Sequence, residues 1–286
     1  MYYGYAKLNL RLAVLAREDT GFHQLETVYC LIALHDVLEV DARGSGIELS
    51  AEGAELGPVR ENSVHRAATG FFALARLRPS ARIRLLKRIP AGAGLGGASS
   101  DAAATLLALN AQNGHPLGTG ELRRLGLSLG SDVPFFLAAT PFALAWGRGQ
   151  RLLTLPPPPS MPALVVVPAE RSLTHAAFEA LAERRRAQPE PAEPRTIDIG
   201  ELSDWGGLAT HAANDFETIL FERLPSLSEI RETLDRAGAR IARMSGSGSA
   251  IFGIFDRAPD RDSAADIVRA RFPDAAVLAT TTLDRM

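Results

Sequence analysis

The sequence predicts an α+β protein built as two domains, residues 1–158 and 159–286. Three observations predict it. Short apolar runs with two-residue alternation are interspersed with stretches of helical spacing, without the regular strand-helix rhythm of a doubly wound parallel sheet. Several strand pairs flank glycine turns, as hairpins do. Four consecutive prolines, Pro156 to Pro159, form a stiff extended stretch suited to a domain junction near 157–162.

The elements follow in order. Leu8, Leu10, Leu12 and Val14 alternate with Lys7, Asn9 and Arg11, so Lys7 and Asn9 share one face of a first strand. Val37 to Asp41 and Ile47 to Leu49 are strands around Arg43-Gly44-Ser45-Gly46. Asn62 is an N-cap for a helix carried by Val64, Ala67, Ala68, Phe71, Phe72, Leu74 and Ala75. Arg82 to Leu86 alternates as a strand; Ser99 to Asn113 is an alanine- and leucine-rich helix stopped by Gly114. Glu121 to Leu129 is helical, and Phe142 to Trp146 with Arg151 to Leu155 form a hairpin around Gly147-Arg148-Gly149-Gln150. Beyond the prolines come a buried strand (Ala163 to Val167), a helix from Thr174 to about Ala187, and an exposed loop at 189–194. Helices near 208–223 and 226–237 precede strands at 240–244 and 250–255, a helix at 261–272 and a strand at 275–280.

Composition narrows the function classes. At 286 residues, 46% hydrophobic, the chain can bury a large core without metal or disulfide staples. Net charge is −2 and no basic-aromatic stripe is present, which argues against a nucleic-acid partner. No stretch reaches the ~20 apolar residues needed to span a bilayer, so no membrane partner is expected. Lys7, Asn9 and Arg11 interrupt the apolar start that a signal peptide would need, and the single Cys30 forms no internal bridge; a cytoplasmic location is expected. Of 31 basic residues only Lys7 and Lys87 are lysines, which singles both out. Lys87, at a strand end, is expected to face solvent. The six histidines and one cysteine show no metal-ligand spacing.

The strongest local signal is PAGAGLGGASSDAA at 90–103. Gly92, Gly94, Gly96 and Gly97 let the backbone curl with its amides inward, and Ser99, Ser100 and Asp101 then open a helix. Exposed amides and the partial positive charge of a helix start make a phosphate cradle. The glycines also satisfy G-x-G-x-x-G, but no acidic residue closes a second parallel strand about 20 residues on, so a dinucleotide fold fails. A Walker loop fails as well, because Ala98-Ser99 stands where Lys-Ser/Thr is required.

P-x-G-x-G-L-G-G-A-S-S-D-A-A resembles the second motif of the GHMP small-molecule kinases, the superfamily of galactokinase, homoserine kinase and mevalonate kinase. AKLNL at 6–10 and MSGSGSAIF at 244–252 resemble its other two motifs and stand in the right order. Gly21-Phe22-His23, LGSDVPFF at 129–136, GRGQ at 147–150 and NDFE at 214–217 resemble the branch whose acceptor is a cytidine diphosphate ester of methylerythritol.

The resemblance implies a ribosomal-protein-S5-like N-terminal domain and a ferredoxin-like C-terminal domain. It also implies ATP-dependent phosphorylation of the 2-hydroxyl of 4-diphosphocytidyl-2-C-methyl-D-erythritol, a step toward isoprenoid precursors outside the mevalonate route. ATP would lie on Pro90, Ala91, Gly92, Ala93, Gly94, Leu95, Gly96, Gly97, Ala98, Ser99, Ser100 and Asp101, with Mg2+ carried by the nucleotide and no metal held by the chain. Asp132 takes the place of the family's catalytic aspartate, with Ser131 replacing the common alanine; local sequence alone reads it as readily as the cap of a turn. Lys7 takes the place of the active-site lysine, with Tyr5 where the motif has proline. Phe22 and His23 stand where tyrosine and histidine hold the cytosine ring, and Phe178 would close its other side, although its spacing fits a core residue equally. Asn9, Ser245, Gly246 and Ser247 complete the implied acceptor site. Asn214 and Asp215 fall within the helix expected at 208–223, either bracing the pocket or facing solvent. A monomer or weak homodimer acting on small molecules is expected. Another GHMP kinase of homoserine or mevalonate type, and a non-catalytic nucleotide-binding protein, are the competing readings.

Overall fold

A computed structural model describes residues 1–17, 23–53, 57–187 and 197–286. Two long strands, β1 (Tyr2–Arg17) and β2 (His23–Asp41), pair antiparallel and form the spine of the first sheet. β3 (Gly46–Glu52) leads to α1 (Ser63–Ala75), whose first turn is capped by the Asn62 side chain accepting the Val64 amide. β4 (Ser80–Leu86) then runs into the glycine loop and α2 (Gly97–Gln112), followed by α3 (Thr119–Leu129) and the single turn α4 (Val133–Phe136). β5 (Phe142–Gly147) and β6 (Arg151–Thr154) form the expected hairpin. The second half comprises β7 (Pro162–Val167), α5 (Thr174–Ala187), α6 (Trp205–His211), β8 (Ala213–Asn214), α7 (Glu217–Arg223), α8 (Pro225–Arg236), β9 (Ile241–Met244), β10 (Ile251–Ile254), α9 (Ala258–Arg271) and β11 (Ala276–Thr281).

The first sheet orders its strands β3-β4-β2-β1-β8, with β5 also on β2 and β6 on β5. β2 is long enough for one edge to serve two partners: residues 25–30 pair with β5 and residues 37–41 with β4. The second sheet runs β11-β7-β10-β9 with all neighbours antiparallel, which is the ferredoxin-like arrangement of a split βαβ unit. On one face of the first sheet, Phe71 and Phe72 of α1 and Leu106 and Leu109 of α2 pack on Leu38, Ile83 and Leu85. On its other face, Leu8, Leu10 and Ile32 meet Val165, Phe252 and Ile254 of the second sheet. The far face of that sheet is covered by α8 and α9 through Ile230, Leu234 and Val268. β1 and β10 are therefore buried on both sides, so the polar side of β1 is covered as well: Lys7 is 3% and Asn9 2% exposed.

Three expectations need correction. The helix expected at 208–223 is two short helices separated by β8: the Asp215 amide donates to the Leu12 carbonyl and its carboxylate accepts the Val14 amide, holding the segment to the edge of β1. Asn214 and Asp215 are thus at a strand, not on a helix. α2 begins at Gly97, two residues before Ser99, because Gly96 adopts a left-handed φ of 74° that aims the chain into the helix. β2 is also far longer than the strand expected at 37–41. Gly21, Phe22 and the 189–194 loop lie outside the described residues.

Candidate active site

The register of β1 on β2 slips between Tyr5 and Ala6 and again between Asn9 and Arg11. These irregularities bracket Lys7 and Asn9, and bulges commonly re-aim side chains at sites. Asn9 faces Tyr29 across the ladder. The Lys7 ammonium donates to Asn9 Oδ1, Asn9 Nδ2 donates to Thr27 Oγ1 at 2.7 Å, and Thr27 Oγ1 donates to the Arg11 carbonyl at 2.7 Å. Asn9 therefore orients Lys7, and both its polar groups are engaged within the protein.

Asp132 enters from the turn between α3 and α4. Its Oδ2 stands 3.7 Å from Lys7 Nζ and its Oδ1 accepts a 2.8 Å hydrogen bond from the Tyr29 hydroxyl. Tyr29 is buried, stacks on Phe135 at 4.7 Å and presents its ring 5.7 Å from the Lys7 ammonium. Burial lowers the pKa of Lys7, and the nearby Asp132 charge offsets only part of that. Burial and then the same charge push the Tyr29 hydroxyl well above its ordinary value, so it remains a donor. The β5–β6 turn passes over this pair: a Cβ on Gly149 would lie 2.9 Å from the Tyr29 hydroxyl.

The two glycine loops meet at the same place. Gly92, Gly94 and Gly96 have φ of 69°, 80° and 74°, and a Cβ on Gly94 would come within 2.1 Å of the Ser245 carbonyl oxygen. The Ser245 hydroxyl donates to the Gly94 carbonyl at 3.0 Å and accepts the Asn9 amide at 3.4 Å. Ser245 is fully buried, so its side chain bolts the loops together rather than facing a ligand. Asn214 Nδ2 donates to the carbonyls of Met244 and Gly246 at 2.7 and 2.8 Å, fixing the second loop. Within 90–101, Ala93 and Leu95 point into the core, and the Leu95 carbonyl accepts the Lys7 amide. Pro90, Ala91, Gly92, Gly94, Gly96, Gly97, Ala98 and Ser99 keep exposed surface, whereas Ser100 and Asp101 are buried in the first turns of α2.

Asp101 and Lys87 belong to a group that sequence reasoning missed. Lys87, expected in solvent, is 8% exposed and donates to Asp36 Oδ2 and, at 2.8 Å, to Asp101 Oδ2. Two carboxylates contributed by β2 and α2 draw its ammonium under the glycine loop.

Lys7, Asp132, Tyr29, Gly94, Gly96 and Gly246 open onto one cleft of about 820 Å3. Its far wall is α5, with Thr174 and Phe178; the Thr174 hydroxyl meets that of Ser247 at 2.8 Å. His23 and Phe178 both line the cleft but stack directly on one another, centroids 4.7 Å apart and planes 20° apart, with Phe178 and Phe216 in a T-shaped contact. A ring held between two others needs about 7 Å from face to face, twice a carbon contact, so no base fits between them in this arrangement. Arg148 also lines the cleft. The cleft thus brings together a paired lysine and carboxylate, two amide-rich turns and an aromatic wall. Such a layout suits transfer of a phosphoryl group to a hydroxyl. Among the described residues no three His, Cys, Asp or Glu side chains group as a metal cage, and no helix is long and apolar enough to cross a membrane.

The chain is similar to known proteins over most of its length. The GHMP kinases N terminal domain matches residues 62–140 and the GHMP kinases C terminal domain residues 196–274. A 4-diphosphocytidyl-2-C-methyl-D-erythritol kinase of Solibacter usitatus is 42% identical over 255 residues, covering 87% of this chain and 79% of that one. A crystal structure of 4-(cytidine 5'-diphospho)-2C-methyl-D-erythritol kinase superposes with a TM-score of 0.82 at 35% identity, over 98% of each chain. A mevalonate kinase of L. major superposes with a TM-score of 0.70 over 98% of this chain and 94% of that one, at 15% identity, a likeness of fold alone.

Proposed function

This chain belongs to the GHMP kinase family, and we propose that it phosphorylates the 2-hydroxyl of 4-diphosphocytidyl-2-C-methyl-D-erythritol with ATP, giving the 2-phosphate and ADP. The observation that carries the reading is Asp132 set 3.7 Å from Lys7 at the mouth of the Gly94–Gly96 loop. The amides of that loop and of the start of α2 hold the triphosphate. Asp132 Oδ2 receives the proton of the 2-hydroxyl as its oxygen bonds to the γ-phosphorus and the bond to ADP breaks. Lys7, 3.7 Å from Asp132 Oδ2, balances charge on the moving phosphoryl group. Tyr29 holds the second carboxylate oxygen, so only Oδ2 turns to the acceptor. Magnesium carried by the triphosphate would neutralise part of its charge. The aromatic wall of His23, Phe178 and Phe216 takes the cytosine end, with the His23–Phe178 stack opening or offering an outer face.

Likeness to the cytidine ester kinases spans most of the chain at 35–42% identity, while the mevalonate enzyme shares only the fold. A coupled ADP-release assay with the cytidine diphosphate ester, homoserine and mevalonate tests the choice. Turnover with the cytidine ester alone is expected; turnover with another alcohol and none with the ester would reassign the acceptor.

A further inference from the structure

Beneath the phosphate loop lies a charge cluster that the transfer itself does not use. Asp36 is fully buried; its Oδ1 accepts the amides of Arg88 and Ile89 and its Oδ2 accepts from Lys87. Every oxygen of Asp36 is thus served by a donor. Asp101, 2% exposed, is not so provided: Oδ2 accepts from Lys87 at 2.8 Å, but Oδ1 is buried with no partner. The groups facing Asp101 are Asp36 from β2, Lys87 from the segment after β4 and, from β1, Gly4, whose Cβ would lie 2.7 Å from that bare oxygen. One ammonium therefore faces two carboxylates, leaving an excess negative charge in a place closed to water. A lone buried carboxylate oxygen of this kind is costly unless it binds a proton. Burial, together with the Asp36 charge and against the pull of Lys87, raises the Asp101 pKa to about 7.

The position of the cluster gives this a consequence. Lys87 Nζ lies 3.2 Å from where a Cβ on Gly97 would be, and Gly97 is the first residue of α2. Asp101 is four residues on, about one helical turn, or ~6 Å, deeper. Phosphates held at the start of α2 bring further negative charge within the range over which charges move proton affinities.

We propose that Asp101 is a proton-accepting positioning residue of the nucleotide site: its Oδ1 takes a proton from solvent when phosphate occupies the start of α2 and returns it when the nucleotide leaves. The exchange removes the surplus charge under the loop without moving the helix. It rests on the reading that ATP binds at this loop.

The test is calorimetric titration of the full chain with magnesium ATP at pH 7.5 in two buffers of different ionisation enthalpy. Uptake of about half a proton per nucleotide is expected for a group that titrates near 7 and rises by one unit on binding. In Asp101→Asn, where the charge is permanently absent, the buffer dependence should vanish and the affinity should no longer fall as pH rises from 6 to 8.5. A merely structural role would leave the pH profile of Asp101→Asn parallel to that of the wild type. ATP binding without proton uptake, or uptake that persists in Asp101→Asn, would overturn the proposal and leave the kinase reading intact. Absence of ATP binding altogether would overturn both. Should Asp101→Asn fold poorly, infrared difference spectra of the wild-type protein decide: a protonated carboxyl band must appear with nucleotide, and its absence rejects the idea.

Discussion

The Tyr29 hydroxyl donates a 2.8 Å hydrogen bond to Asp132 Oδ1 from a ring that is 1% exposed. Its raised pKa keeps the proton on the phenol, so the bond always runs from Tyr29 to Asp132. A hydrogen bond to a charged group contributes about 1.5–3 kcal/mol. Tyr29→Phe keeps the stack on Phe135 and removes only this bond, so kcat should fall roughly ten- to a hundredfold with KM for ATP little changed. Steady-state kinetics with each substrate varied checks the split.

Asp132→Asn retains the shape of the side chain but loses the proton acceptor. Turnover should fall by about 10²–10⁴ while ATP still binds, because the phosphate loops do not depend on this carboxylate. Turnover assays beside nucleotide titrations separate the two effects, and near-normal turnover would remove Asp132 from the chemistry.

Lys7 leads to a pH signature. Its ammonium is held below the ordinary lysine value by burial, so raising the pH removes the charge, and with it activity, before pH 10.5 is reached. Lys7→Arg puts a broad planar fork in a space closed by Gly96, whose Cβ would already lie 3.0 Å from Lys7 Cγ. A loss of about a hundredfold or more is expected from misplacement alone. The residual activity should lack the alkaline limb, since arginine does not deprotonate in this range. A pH–rate profile of both proteins checks this.

How much of this was legible beforehand differs from residue to residue. Alternation alone set Lys7 and Asn9 on one face, and the glycine run announced a phosphate loop, because both signals are local. Tyr29 gave no such signal: its partner is 103 residues away and is reached only through the fold. Lys87 at a strand end looked solvent-facing, yet carboxylates 51 and 14 residues distant draw it inside. The helical spacing across 208–223 was overridden at Asn214 by hydrogen bonds to β1 and to the second glycine loop. Local patterns carried the strands, helices and loops; pairings between distant segments decided which polar groups are buried.

Gly94 couples the two loops by closeness rather than by a side chain. Alanine there would meet the Ser245 carbonyl at 2.1 Å and would also have to hold a φ of 80°. Backbone atoms cannot yield as a side chain does, so the loops must separate. Gly94→Ala should cost about 1–3 kcal/mol of stability, seen as a lower Tm. KM for ATP should rise with it, because the amides of both loops lose their common geometry.

The aromatic wall separates recognition of the acceptor from recognition of ATP. Phe178 stacks on His23 and meets Phe216 with ring planes 87° apart, contacts made with the start of β2 and of α7 rather than with residues 90–101. Removing the ring should therefore affect one substrate only. Stacking of a base on an aromatic ring contributes about 1–3 kcal/mol, or roughly ten- to a hundredfold in affinity. Phe178→Ala should raise KM for the cytidine diphosphate ester by about that factor and leave KM for ATP unchanged, whereas Phe178→Tyr, which keeps the ring, should restore most of the affinity. An equal rise in both KM values would mean that Phe178 supports the packing of α5 and not the base. No change in either would place the cytosine elsewhere in the cleft, away from the His23–Phe178 pair.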